Sequence, residues 1–139
     1  MERTRGFTLL ELIITTAIIA ILAALATASY GRYAFRSHRT DAHQVLTTIA
    51  HDEERWYATY NHYTDNLGQF GFAQPAASPH GYYEVTVAVG GTTAQAYTAT
   101  AIPINTQVGD VCGNLSIDNR GEKQPDRDDA GANTNGNCW

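Results

Sequence analysis

The sequence predicts an α+β fold, a long N-terminal helix laid against a small antiparallel sheet of three to four strands. Three observations predict it. No Pro interrupts Phe7 to Tyr60, and Gly31 is the only Gly there. A β-branched and aromatic run, Tyr82 to Val89, is followed by Gly90-Gly91 and a second such run to Ile102. Between helix and sheet, residues 61–81 lose all periodicity and are rich in Gly, Asn, Pro and Ser.

The helix changes character along its length. From Leu12 to Ala28 it has no charge, Gly or Pro, so it is apolar all round and long enough for the roughly 30 Å hydrocarbon core of a bilayer. Beyond it, Ala42, Val45, Leu46, Ile49, Trp56 and Tyr60 recur at helical spacing, with Asp41, Gln44, Thr48, Asp52 and Arg55 on the other side. About 50 residues of helix span roughly 75 to 80 Å at 1.5 Å per residue. A stripe of this kind needs one sheet laid against it, whereas the first half needs lipid or several other helices.

In the connection 61–81, Tyr63, Leu67, Phe70 and Phe72 are expected to pin the chain down, since that many large apolar groups do not stay in water. The expected strands are Tyr82–Val89, a return at Ala94–Ile102 stopped by Pro103, and Asn114–Ile117. After a turn at Asp118-Asn119-Arg120-Gly121, Glu122–Gln124 is a candidate fourth. The polar tail 125–137 has no apolar pattern of its own.

One acid stands just inside the apolar run. Glu11 would lose on the order of 3 kcal/mol deep in a bilayer, and such acids have partners. Cleavage between Gly6 and Phe7 would remove Arg3 and Arg5 and create an amino group, positive at neutral pH, four residues from Glu11. The short basic leader ending in Arg5-Gly6, followed by Phe7-Thr8-Leu9-Leu10-Glu11, resembles the processing site of type IV pilins.

That resemblance implies a leader, residues 1–6, removed by a prepilin peptidase that also N-methylates Phe7, and a Glu11 that meets the N-terminus of a neighbouring subunit. It implies residues 7–30 as the transmembrane and filament-core half of the helix, and 31–139 as the soluble domain. The chain would sit by a single pass in the bacterial inner membrane, then pass to an extracellular pilus through the inner-membrane assembly machinery, beside other pilin subunits. Cys112-Gly113, Leu115, Asp118, Gly121 and the terminal Cys138-Trp139 resemble the C-terminal region of minor pilins. Many major pilins have Pro near Ala28, where the helix unwinds in the filament; Ala here leaves melting of Ala20–Ala28 without that cause.

Cys112 and Cys138 lack any CxxC or zinc spacing, and an even count in an exported chain reads as one disulfide. Closing a loop of about 25 residues contributes roughly 3 to 4 kcal/mol in the chain-entropy model.

Other readings compete. Ala26 to Ser29 imitates a secretory cleavage site, but the basic end contains Glu2 and the apolar region would have to tolerate Glu11. A plain signal anchor is a second reading. Arg32, Arg36 and Arg39 follow the span, so the positive-inside rule alone would keep the C-terminal part cytoplasmic; the motif and the cysteine pair oppose it. Those arginines read as a solvated face or a lipid head-group contact. His38, His43, His51, His62 and His80 form no HExxH or other paired-ligand pattern and read as solvated, without metal. Asp126, Asp128 and Gly131 imitate a calcium loop, but Ala130 and Asn137 stand where ligands are needed. No nucleophile elbow, phosphate loop or dinucleotide fingerprint is present, so no enzyme and no cofactor is expected.

The role expected is structural: a minor pilin of a filament serving adhesion, twitching motility or DNA uptake. The alternatives are a type II secretion pseudopilin and a pilus-borne DNA receptor for natural transformation. The formal net charge of −5 disfavours the last.

Overall fold

The computed structural model describes residues 7–125 and 137–139. It divides into two compact units, Met1–Ala34 and Phe35–Trp139, with one helix, α1 (Leu9–Tyr60), contributing to both.

Thr8 caps the start of α1. Its carbonyl accepts from Leu12 N at 3.2 Å and its hydroxyl from Glu11 N at 3.2 Å, satisfying a donor that the first turn otherwise orphans. Thr15 and Thr16 return their hydroxyls to carbonyls of Glu11, Leu12 and Ile13 at 2.9 to 3.0 Å. Their polar atoms are thus paired within the helix, as an apolar surrounding demands.

In the second unit, Ala42, Val45, Leu46 and Ile49 are buried as the spacing predicts, but the apolar residues expected beyond them are less so. Trp56 is half-buried and Tyr60 is 53% exposed; the two rings lie on each other at 4.1 Å, with Phe70 edge-on to Trp56 at 6.0 Å. The helix ends at Asn61, in the left-handed region (φ 59°), whose N–H returns to Tyr57 O at 2.8 Å.

The connection is more structured than a loop. Tyr63 and Leu67 are buried, Phe70 and Phe72 half-buried, and a 3₁₀ turn at Leu67–Phe70 is capped by the Asn66 side chain on Gly68 N. Five strands follow: β1 (Ala76–Ala77), β2 (Tyr83–Gly90), β3 (Ala96–Pro103), β4 (Leu115–Asp118) and β5 (Lys123–Gln124), antiparallel in the order β1-β2-β3-β4-β5. The sheet therefore exceeds the three to four strands expected. The extra one lies inside 61–81, where an Ala-Ala pair between Pro75 and Ser78-Pro79 carries no β signal.

β2 and β3 pair in register from Tyr83↔Pro103 to Gly90↔Ala96, so the connection is five residues rather than a tight Gly90-Gly91 turn. One sheet face supplies Tyr83, Val85, Tyr97, Ala99, Ala101, Leu115 and Ile117 to the core, the strict alternation of a sheet buried on one side. The tail residues 126–136, including the calcium-like Asp126–Gly131, lie outside the described residues.

Candidate functional site

The first unit presents its apolar surface outward. Phe7 is 81% exposed, and Leu9, Leu10, Leu12, Ile13, Ile14, Ile18, Ile19, Ile21, Leu22 and Leu25 all lie between 49% and 76%. The 18-residue stretch that is apolar enough to cross a membrane has mean hydropathy 2.5, and none of it is buried. Glu11 stands exposed in the first turn, near the positive pole of the helix dipole. Gly6 lies outside the described residues.

The second unit is closed by polar contacts that no local pattern announces. Arg39, expected on a solvated or lipid-facing surface with Arg32 and Arg36, is 1% exposed. Its Nε and Nη2 donate to the two oxygens of Asp110 at 2.7 and 2.6 Å, and its Nη1 to Asn137 O at 3.2 Å. The reason is the position of Arg39 on the helix: three residues before Ala42 and seven before Leu46, it continues the buried stripe. A planar guanidinium fits this bidentate geometry where an ammonium would not.

Gln107, also fully buried, completes the cluster. Its Nε2 lies within hydrogen-bond distance of Phe35 O, the Tyr83 hydroxyl and Asp110 Oδ2 at 3.2, 2.9 and 3.0 Å. Its Oε1 therefore accepts, and His38 Nδ1, 3.0 Å away, carries the proton. Burial pushes the Tyr83 phenol up to about 12.

Two more histidine side chains have partners, one half-buried and one solvated. His43 is half-buried; its Nε2 donates to Cys138 O at 2.8 Å, and burial pushes its imidazole below the ordinary value. His80, exposed in the middle of the β1–β2 connection, sets its Nδ1 2.9 Å from Asp41. Asp41, expected on the polar side, is 5% exposed and also accepts from Ser78 Oγ and His80 N. The Ser78 hydroxyl donates to the acid and accepts from Tyr82 N and Tyr83 N at 3.1 and 3.0 Å.

The chain's end is fastened twice. Cys112 and Cys138 form the expected disulfide, with Cα atoms 5.7 Å apart across 26 residues. Trp139 stacks on His43 at 4.5 Å, lies under Lys123 Nζ at 4.8 Å, and donates its indole N–H to Gln124 O at 2.9 Å. Among the described residues, Arg55 is paired with Asp52, and Arg120 with Asp118 and Glu122. Among them, no group of three or more His, Cys, Asp or Glu is placed to hold a metal ion.

Known proteins share both parts of this arrangement. Residues 1–27 match the prokaryotic N-terminal methylation motif, and residues 28–116 match the family described as type IV minor pilin ComP, DNA uptake sequence receptor. The chain is 35% identical over 88 residues to the type IV major pilin protein PilA of Myxococcus xanthus (strain DK1622), covering 63% of this chain and 40% of that one. It is 37% identical over 93 residues to the type IV major pilin protein PilE1 of Neisseria gonorrhoeae, covering 66% and 43%. It thus spans less than half the length of these two relatives. The solved structure of a type IV pilin from Shewanella oneidensis superposes with a TM-score of 0.54 at 30% identity, over 76% of this chain and 97% of that one. With one family match covering well over half of its 139 residues, and with sequence and fold pointing the same way, the chain belongs to the type IV pilin family, in the group described as minor pilin ComP.

Proposed function

We propose that this chain is a structural subunit, a minor pilin, of a type IV pilus. The observation that carries the reading is an apolar helix surface that is nowhere buried among the described residues and opens on a single acid. In this reading residues 1–6 are removed after Gly6, Phe7 is N-methylated, and 7–30 hold the chain in the bacterial inner membrane while 31–139 fold outside it. The half-helix then leaves lipid for a bundle of other pilins. Lipid tails are as apolar as leucine, so this transfer has little net hydrophobic gain and register must come from specific contacts. Glu11 against a neighbour's Phe7 amine supplies one, and desolvation in the bundle strengthens it. Its partners are other pilin subunits, the prepilin peptidase and methyltransferase, and the inner-membrane assembly machinery.

DNA uptake is the service the family's description favours among adhesion, motility and uptake. With a net charge of −5 and Arg39, Arg55 and Arg120 all in ion pairs, a DNA contact would rest on a local patch. A type II secretion pseudopilin has no comparable support.

Mass spectrometry of the mature chain tests the processing step: it should begin at methylated Phe7, and retention of residues 1–6 overturns the assignment. Sheared surface filaments should contain the chain in a minor ratio to another pilin. Salt-dependent DNA binding by those filaments, lost when the gene is deleted with filaments intact, separates a receptor from a shaft subunit.

A further inference from the structure

The soluble unit buries an acid that none of the contacts above employs. Glu53 is 0% exposed, on the same helix face as Leu46 and Ile49. Its Oε2 accepts from Thr64 N at 3.1 Å, across the turn where the chain leaves α1, while its Oε1 has no partner. One turn on, the buried Trp56 indole N–H has none either. The charges acting on Glu53 come from the helix and the loop and share its sign. On the helix stand Asp52, held outward by Arg55 at 2.7 Å, and Glu54, which accepts from the Tyr63 hydroxyl at 3.0 Å. From the loop comes Asp65, while the Tyr97 phenol of the sheet, pushed further upward by burial, stays neutral and adds no charge.

The segment this acid touches is a strap. Tyr63 stacks on Tyr57 at 4.6 Å and meets Tyr97 at 4.8 Å, its N–H donates to Ala94 O at 2.9 Å, and Leu67 is 1% exposed. The strap therefore crosses the helix, the β2–β3 connection and the core, with Thr64 seated on the acid.

We propose that Glu53 is a proton-operated latch for residues 61–72. Protonated, it is neutral and compatible with burial, and the strap stays closed. Ionised, it leaves a charge in the core with one N–H for solvation, and the strap lifts so that water reaches the carboxylate. The sign follows from burial, which pushes the Glu53 carboxyl up to about 7 against the pull of the Thr64 N–H, with Glu54, Asp65 and Asp52 adding in the same direction. An acid whose value is raised on closing favours the closed state fully below its ordinary value of 4.5, and that preference is lost as pH climbs to about 7.

Amide hydrogen exchange of the full chain in detergent micelles, corrected for intrinsic exchange, reads this directly. Protection at residues 63–67 should fall by up to about tenfold per pH unit between about 4.5 and about 7, then level off. Glu53→Gln, the neutral isostere, should keep the strap protected at every pH. Protection that is flat in the native chain, or that falls equally in Glu53→Gln, overturns the latch. Asp65→Asn, an exposed substitution that removes one repelling charge, should move the levelling point to lower pH, and an unmoved point likewise overturns it.

Discussion

The two halves of α1 share a backbone and differ in everything else. In the first unit Leu9 to Leu25 expose every large apolar side chain; in the second, Ala42, Val45, Leu46 and Ile49 are at most 4% exposed. The difference is one of apolar content and of its arrangement. A stripe of one in three or four residues closes against a single sheet face, whereas a surface apolar in all directions cannot be covered by any one layer. The first half is thus fitted to many neighbours, and the second is complete in itself. The acids of the two units differ in the same way: Glu11 is exposed, while Asp110 is buried and holds Arg39.

The largest way to break this comparison is at the completed ion pair. Arg39→Ala leaves Asp110 buried without its cation and should cost about 3 to 5 kcal/mol of unfolding free energy, read from denaturant midpoints of the full chain in micelles. Replacing both Arg39 and Asp110 by Met and Leu should cost far less, since no charge is then stranded. Arg36→Ala, at an exposed site on the same helix, should stay within about 0.5 kcal/mol. Equal losses for Arg36 and Arg39 would mean that burial does not distinguish the two arginines.

At Glu11 the effect should be smaller and of a different kind. Glu11→Ala should leave stability and membrane insertion unchanged and processing intact, while incorporation into filaments drops roughly 10- to 100-fold, the equivalent of about 1.4 to 2.8 kcal/mol. Quantifying the chain in sheared filaments against the membrane fraction measures it. Normal incorporation would remove Glu11 from any assembly contact.

The sequence shows the first half of the helix more plainly than the second. An apolar run with one acid is a local signal, and so is the alternation that gives β2 and β3. Arg39 with Asp110, Gln107 with His38, and Asp41 with His80 lie 71, 69 and 39 residues apart, and nothing near any of them announces its partner. Charged residues on a helix read as solvated because they usually are. Helical phase was the available signal: Arg39 and Glu53 fall seven residues either side of Leu46, which places both on the apolar stripe. Trp56 and Tyr60 fit that stripe as well, yet emerge from the core because the strap, not the sheet, meets the end of the helix.

The smallest effect sharpens the comparison within the completed unit, where two buried acids titrate in opposite senses. Burial pushes the Asp41 carboxyl up, but hydrogen bonds from Ser78 Oγ, the His80 ring and N–H, and the Tyr82 backbone outweigh it and hold the group below its ordinary 3.8. An acid depressed in the folded state stabilises above its unfolded value and loses that contribution as pH falls through the folded one. Glu53 does the reverse, losing its contribution as pH rises from 4.5 to about 7. Unfolding free energy measured across pH 2 to 8 should therefore fall on both flanks of a maximum. Asp41→Asn should cost about 1 to 2 kcal/mol at neutral pH, because the amide can accept fewer of those donors. It should also flatten only the acidic flank, leaving the neutral one to Glu53. An acidic flank that survives Asp41→Asn would assign it to other carboxylates and reduce the Ser78–Asp41–His80 cluster to a neutral brace between helix and sheet.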